Sequence, residues 1–128
     1  MAYICRKIRF MQKTILVIED DKDIQEILTY VLEAEDYNVI CAEDDTIFDN
    51  ISTIKPSLIL MDNQLQGASG TDMCYRIKNN VDTSEIPVII LSANTNIEIL
   101  AQEGHADGFL AKPFDVNEVV RIVAKYSL

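Results

Sequence analysis

Five short apolar runs recur along the chain: TILVI (14–18), YNVICA (37–42), SLILM (57–61), IPVIILS (86–92) and GFLAK (108–112). Their length and their share of β-branched residues predict strands. Between them, apolar residues fall three or four apart, the spacing of a helix face. From Asp21 these are Ile24, Ile27, Leu28, Val31 and Leu32; then Ile47, Phe48, Ile51 and Ile54, stopped by Pro56. Gly67 and Gly70 flank a loop, after which Met73, Cys74 and Ile77 predict a third helix. A weaker pattern covers 95–103, and Val116, Val119, Val120 and Val123 predict a last helix with that stripe turned to the core.

Strand and helix thus alternate five times. Strands apolar on both faces and joined by helices predict a parallel sheet covered on both sides. Right-handed crossovers then favour an α/β, three-layer, doubly wound (βα)5 sandwich. One common strand order is 2-1-3-4-5, with its switch point between the first and third strands. Ligands of such sheets bind beside that point, at the carboxyl ends of the strands.

Composition narrows the function classes. A chain of 128 residues, 48% hydrophobic, suits one folded domain. It contains no apolar run near the ~20 residues of a membrane helix and no secretory h-region. Cys5, Cys41 and Cys74 are scattered and lack metal-ligand spacing, which points to a reduced, cytoplasmic setting. Residues 1–13 hold Arg6, Lys7, Arg9 and Lys13 and no acid. Beyond them lie 7 basic and 21 acidic residues, a balance of −14 against −10 for the whole chain. Such a body is a poor nucleic-acid binder and suits a cation or a basic partner. Residues 1–12 read as a basic overhang without fixed order, too short for a good membrane anchor, with Met11 an alternative start. The domain proper spans 13–128.

The third strand runs straight into an acid: LILM leads into Asp62. A lone carboxylate at the tip of a buried strand is costly unless something compensates it. The first strand ends in Glu19-Asp20, on the neighbouring sheet position. Three carboxylates brought together repel, and a hard divalent cation such as Mg²⁺ relieves that repulsion while leaving room for a phosphate. Taken alone, Glu19 and Asp20 are explained as well by a capped, solvated helix start, with Asp21 as N-cap. An EF-hand is excluded by the missing glycine and ligand alternation. Ser92 and Lys112 end the fourth and fifth strands and tip the balance, adding a hydroxyl and an ammonium to the same rim. A carboxylate beside Mg²⁺ and a lysine can attack phosphorus, giving an acyl phosphate.

ILVIEDD, LILMD, VIILSA and GFLAKPF together resemble the marker motifs of two-component response-regulator receiver domains, over residues 13 to 127. The resemblance implies a flavodoxin-like fold and a phosphorelay switch, and in length it suits a single receiver of the chemotaxis-regulator kind. It implies that Asp62 is the phosphoacceptor and that Mg²⁺ is held by Glu19, Asp20, Asp62 and the backbone carbonyl of Gln64. Ser92 matches the switch hydroxyl, Phe109 the switch aromatic and Lys112 the phosphate-binding lysine. Ala93 is the small neighbour that keeps the site open, and Lys112–Pro113 matches a cis peptide bond. Three positions depart from the pattern. Glu19 replaces the commoner Asp, Gln66 stands where Pro is usual and predicts a freer loop, and His105 replaces a Gly, where it suits a helix end better than a ligand.

Implied partners are a histidine kinase or histidine phosphotransfer protein and an output protein or domain of unknown kind. No direct nucleic-acid or membrane contact is expected, and the chain is expected to be a monomer or a dimer favoured by phosphorylation. The sequence stops soon after the last helix, which leaves open a stand-alone regulator or a piece of a longer one. An aspartate-nucleophile phosphatase would need a second acid in D-x-D, but the chain reads Asp62-Asn63-Gln64. A receiver reduced to a constitutive binding module would have lost a reactive group, and none is missing.

Overall fold

Alternation along each central strand sets the architecture. The computed structural model describes residues 12–128. Five strands, β1 (Thr14–Ile18), β2 (Asn38–Ala42), β3 (Leu58–Asp62), β4 (Val88–Ser92) and β5 (Gly108–Ala111), form one parallel sheet in the order β2-β1-β3-β4-β5. Odd and even positions point to opposite faces, and both are buried. Leu16, Ile18, Ile59, Met61, Val88 and Ile90 face one side, under Ile51, Met73, Ile77 and Ala101. Ile15, Val17, Leu58, Leu60, Ile89 and Leu91 face the other, under Leu28, Leu32, Val119 and Val123. The helices that supply these covers are α1 (Lys22–Ala34) and α5 (Val116–Tyr126) on one face. On the other lie α2 (Phe48–Ile54), α3 (Gly70–Lys78) and α4 (Ile97–Gly104). The expected three-layer sandwich and strand order are both observed.

Local chemistry fixes the helix ends. Asp21 caps α1 by accepting from the backbone N–H groups of Asp23 and Ile24. Asp115 and Glu118 form a reciprocal capping box at the start of α5. Helix α2 follows a 3-10 turn (Asp45–Ile47) and ends on Lys55 in the left-handed region, one residue before Pro56. His105 caps α4 in the same left-handed conformation, φ 60°. That is the helix-end role expected of it.

Two helix stripes differ from the pattern. Ile27 of α1 and Val116 of α5 are exposed, and Val120 is only half-buried, so the stripe of four valines is not all core. Helix α5 rests on the sheet through buried Val119 and Val123, with Ile122 and Tyr126 partly buried beside them, while Val116 lines an open groove with Ile27, Pro113 and Phe114. Between β3 and α3 the chain makes a small hairpin that the apolar pattern does not announce. Gln64–Leu65 pairs antiparallel with Ala68–Ser69 around Gly67, whose φ of 73° suits a residue without Cβ.

The basic overhang and Met11 lie outside the described residues, save for Gln12. Among the described residues no helix is long and apolar enough to cross a membrane. Cys41 and Cys74 carry free thiols, the first exposed and the second buried; Cys5 lies outside the described residues. Burial pushes the Cys74 thiol up to about 12, against a weaker opposing pull from Lys78. The thiolate is the reactive form. Brief alkylation of the folded chain near neutral pH should therefore label Cys41 and spare Cys74, as read by peptide mass mapping. Equal labelling of both would mean that α3 opens readily.

Candidate functional site

The parallel ladder delivers the acids to one rim. Ile18 of β1 lies opposite Met61 of β3, so Glu19 and Asp62 follow on adjacent strands at the same level. Glu19 is held by its backbone N–H donating to Ala42 O (2.9 Å) and by its carbonyl accepting from the Gln25 side-chain amide. Glu19, Asp20 and Asp62 each offer a carboxylate oxygen, all within 4.8 Å of one another. Glu19 and Asp62 are buried and Asp20 is half-buried.

Lys112 reaches this group from the end of β5. Its Nζ donates to Glu19 Oε2 at 2.9 Å and to Asp62 Oδ1 at 3.0 Å. Its backbone N–H donates to Ser92 O, and the Lys112–Pro113 bond is cis, as expected. Burial opposes the ammonium charge, but the hydrogen bonds it donates to Glu19 and Asp62, together with their negative charges, outweigh burial and raise the Lys112 pKa. Glu19 behaves differently. Burial raises its pKa more than the bonds from Lys112 and the Asp21 N–H lower it. Two carboxylates thus share one lysine, and with Asp20 the cluster keeps a net charge of −2.

That residual charge tests the fit of a metal. Three hard oxygen donors within reach of one point, short by two positive charges, match a divalent cation such as Mg²⁺. The backbone carbonyl of Gln64 lies on the hairpin just beyond, where Gln64 lines the same cleft.

Asp62 borders two clefts. One, about 410 Å³, is shared with Glu19, Asp20, Gln64, Gln66 and Lys112. The other, about 300 Å³, is shared with Ser92, Ala93, Asn94 and Lys112. Ser92 is buried, and its Oγ accepts from Asn94 N–H at 3.0 Å, which leaves its own proton free to donate. Phe109 lies on β5 opposite Ile90, two residues before the position paired with Ser92, and its ring is exposed. Glu19, Asp20, Asp62, Gln64, Ser92 and Lys112 therefore gather at one rim, whereas Phe109 lies within β5, the strand that leads to Lys112, with its ring exposed, and His105 caps α4. Asn63, Thr71 and Gln25 were missed, and Gly70 was read only as a loop flank, although each shapes the backbone beside an acid. An SGTD helix-start signature at 69–72 was the available signal for Thr71.

Known proteins match this picture. The family model described as "Response regulator receiver domain" matches residues 15–124. The phosphate regulon transcriptional regulatory protein PhoB of Escherichia coli (strain K12) is 35% identical over 113 residues, 86% of this chain and 49% of PhoB. The chain thus spans about half the length of the curated relatives it matches. A putative response regulator from Chloroflexus aurantiacus superposes with a TM-score of 0.86 at 28% identity, covering 91% of this chain and 98% of that one. The receiver domain of a Pseudomonas aeruginosa sensor histidine kinase, which has a magnesium ion coordinated in its active-site cleft, gives 0.82 at 27% identity, with coverage of 91% and 98%.

Proposed function

This chain belongs to the response regulator receiver domain family, and from that premise we propose that it accepts a phosphoryl group on Asp62 and passes the signal on through Ser92 and Phe109. The observation that carries this reading is the placement of Asp62. Among the described residues it is the one buried carboxylate that both touches Lys112 and opens onto both clefts.

The donor is a phosphohistidine of a histidine kinase or phosphotransfer protein. An Asp62 carboxylate oxygen attacks phosphorus, the O–P bond forms, and the P–N bond breaks with its electron pair left on the histidine ring. Lys112, 3.0 Å from Asp62 Oδ1, holds its ammonium where charge builds on the phosphoryl oxygens. Glu19, Asp20, Asp62 and the Gln64 carbonyl would hold Mg²⁺, which would supply the two positive charges the cluster lacks and offset the phosphoryl charge. Glu19 is engaged at both oxygens, by Lys112 and by the Asp21 N–H, and so would contribute less directly than Asp20.

The phosphorylated Asp62 then offers acceptor oxygens to the free Ser92 proton. Movement of Ser92 makes room behind β4, and Phe109 rotates inward from its exposed position. This reshapes the face formed by α4, β5 and α5, where Glu98, Gln102, Phe109, Arg121, Lys125 and Tyr126 line a cleft of about 510 Å³. That face is the surface we assign to the output partner, or to a second copy when phosphorylated. Hydrolysis of the acyl phosphate resets the domain, and Gln64 and Asn94, beside Asp62, tune its lifetime.

To test the reading, wild type is incubated with a small phosphodonor, with Mg²⁺ and then with excess chelator. We expect acid-stable, base-labile phosphate on the protein with the metal and none with the chelator. No uptake under either condition would overturn the proposal.

A further inference from the structure

Asn63 follows the phosphoacceptor and is tied to the protein through its backbone N–H, its carbonyl and its side-chain oxygen. Its N–H donates to Leu91 O of β4 at 2.9 Å, and its carbonyl accepts from Gly70 N–H at 2.8 Å. Its side-chain Oδ1 accepts twice from Thr71, from the N–H at 3.2 Å and from Oγ1 at 2.7 Å. The Gly70 bond closes the base of the 64–69 hairpin, and the Thr71 bonds rivet that base to the first turn of α3.

Two features show that these bonds do more than cap a helix. Ser69 already caps α3 by accepting from Asp72 N–H at 3.4 Å. The Thr71 hydroxyl, moreover, is no part of the helix's unpaired backbone, yet its hydrogen bond is the shortest of the set. Close packing surrounds the same point. A Cβ on Gly70 would lie 2.3 Å from Asp62 O and 2.7 Å from Asn63 Cα, so α3 approaches the backbone of the phosphoacceptor as closely as a glycine permits. From the far side, a Cβ on Gly104 of α4 would lie 2.8 Å from Thr71 O. Thr71 is buried between the two.

Resting on the phosphoryl-acceptor reading above, we infer that Asn63 and Thr71 form a positioning clamp that fixes Asp62 and the hairpin carrying Gln64 for cation binding and phosphoryl transfer. Neither side chain touches the reacting atoms. They act by holding the backbone that presents one carboxylate and one carbonyl to the same cation. Small displacements of such donors are expensive in rate, since a misplacement of about 1 Å can cost about a hundredfold.

The test compares Thr71→Val, which keeps the shape and loses the hydroxyl, with Thr71→Ser, which keeps the hydroxyl. Asn63→Ala serves as a second route to the same loss should Thr71→Val fail to fold. Mg²⁺ affinity is measured by calorimetry, the initial rate of phosphoryl uptake from acetyl phosphate at saturating Mg²⁺, and the urea midpoint without metal. Thr71→Val and Asn63→Ala should weaken Mg²⁺ binding about fivefold and slow uptake about tenfold, while Thr71→Ser stays within about twofold of wild type. A change confined to the urea midpoint would overturn the clamp and leave a structural hydrogen bond. Equal losses in the Val and Ser variants would overturn it too. If wild type itself takes up no phosphoryl group, the functional reading falls, and the Mg²⁺ affinities alone decide the clamp.

Discussion

Asp62→Asn should take up no phosphoryl group and, without metal, should unfold at a higher urea concentration than wild type. Loss of uptake follows from the chemistry, because a carboxamide oxygen is not a competent nucleophile toward phosphorus. The gain in stability follows from the charges. Asp62 faces two like-charged neighbours within 4.8 Å and one ammonium at 3.0 Å. At an effective dielectric of about 20, each repulsion is worth about 3.5 kcal/mol and the attraction about 5.5 kcal/mol, so the repulsions win by a small margin. Asn keeps an oxygen that Lys112 can donate to, and Lys112 keeps Glu19. We expect a gain of about 1 kcal/mol in urea unfolding with a chelator present, and its disappearance on adding Mg²⁺, which stabilises wild type more than a variant that has lost one carboxylate ligand. Labelling of the variant equal to wild type would place the acceptor elsewhere. A stability loss would mean that the Lys112 contact outweighs the crowding of acids.

Which parts of this could be read in the sequence follows from range. Strand and helix identities are short-range properties, carried by runs such as VIILS and by caps such as Asp21, and they were legible. The grouping of Glu19, Asp20, Asp62, Ser92 and Lys112 was legible for a different reason. A doubly wound parallel sheet sends every strand's carboxyl end to one rim, so topology substitutes for distance information. Exposure within a helix was less legible. Ile27 and Val116 share the apolar spacing of buried neighbours, yet they line an open groove with Pro113 and Phe114 and do not join the core under the sheet. The Asn63–Thr71 contact was not legible at all. It joins polar residues eight apart across a hairpin, and no periodicity records such a pairing. The division of Lys112 between Glu19 and Asp62 likewise depends on side-chain reach at the rim, which residue order does not state.

The largest loss of stability should come from Lys112→Met. The substitution preserves most of the apolar stem and removes the ammonium that two buried carboxylates share. Breaking a buried pair by deleting one partner typically costs about 3–5 kcal/mol, because the other charge stays behind uncompensated. Lys112 keeps some solvent contact, so we expect the low end, about 3 kcal/mol near neutral pH with a chelator present. The deficit should depend on pH in a defined sense. Glu19 already has its pKa raised above 4.5 by burial, against the lowering influence of Lys112. Without the lysine it rises further, so the folded variant holds a proton that the unfolded chain releases near 4.5. Stability of the variant therefore increases as pH falls through that raised value, and the deficit narrows on the acid side. On the alkaline side Lys112 itself decides. Its folded pKa is raised above 10.5, so its contribution to wild type is complete below 10.5 and is lost as pH climbs through the folded value. The deficit should thus be widest between these windows. Adding Asp62→Asn to Lys112→Met should recover part of the loss, since it deletes one of the stranded charges. Urea midpoints across the pH series measure all of this. A deficit below about 1 kcal/mol, flat with pH and untouched by the second substitution, would show that Lys112 only lies near the acids and does not hold them.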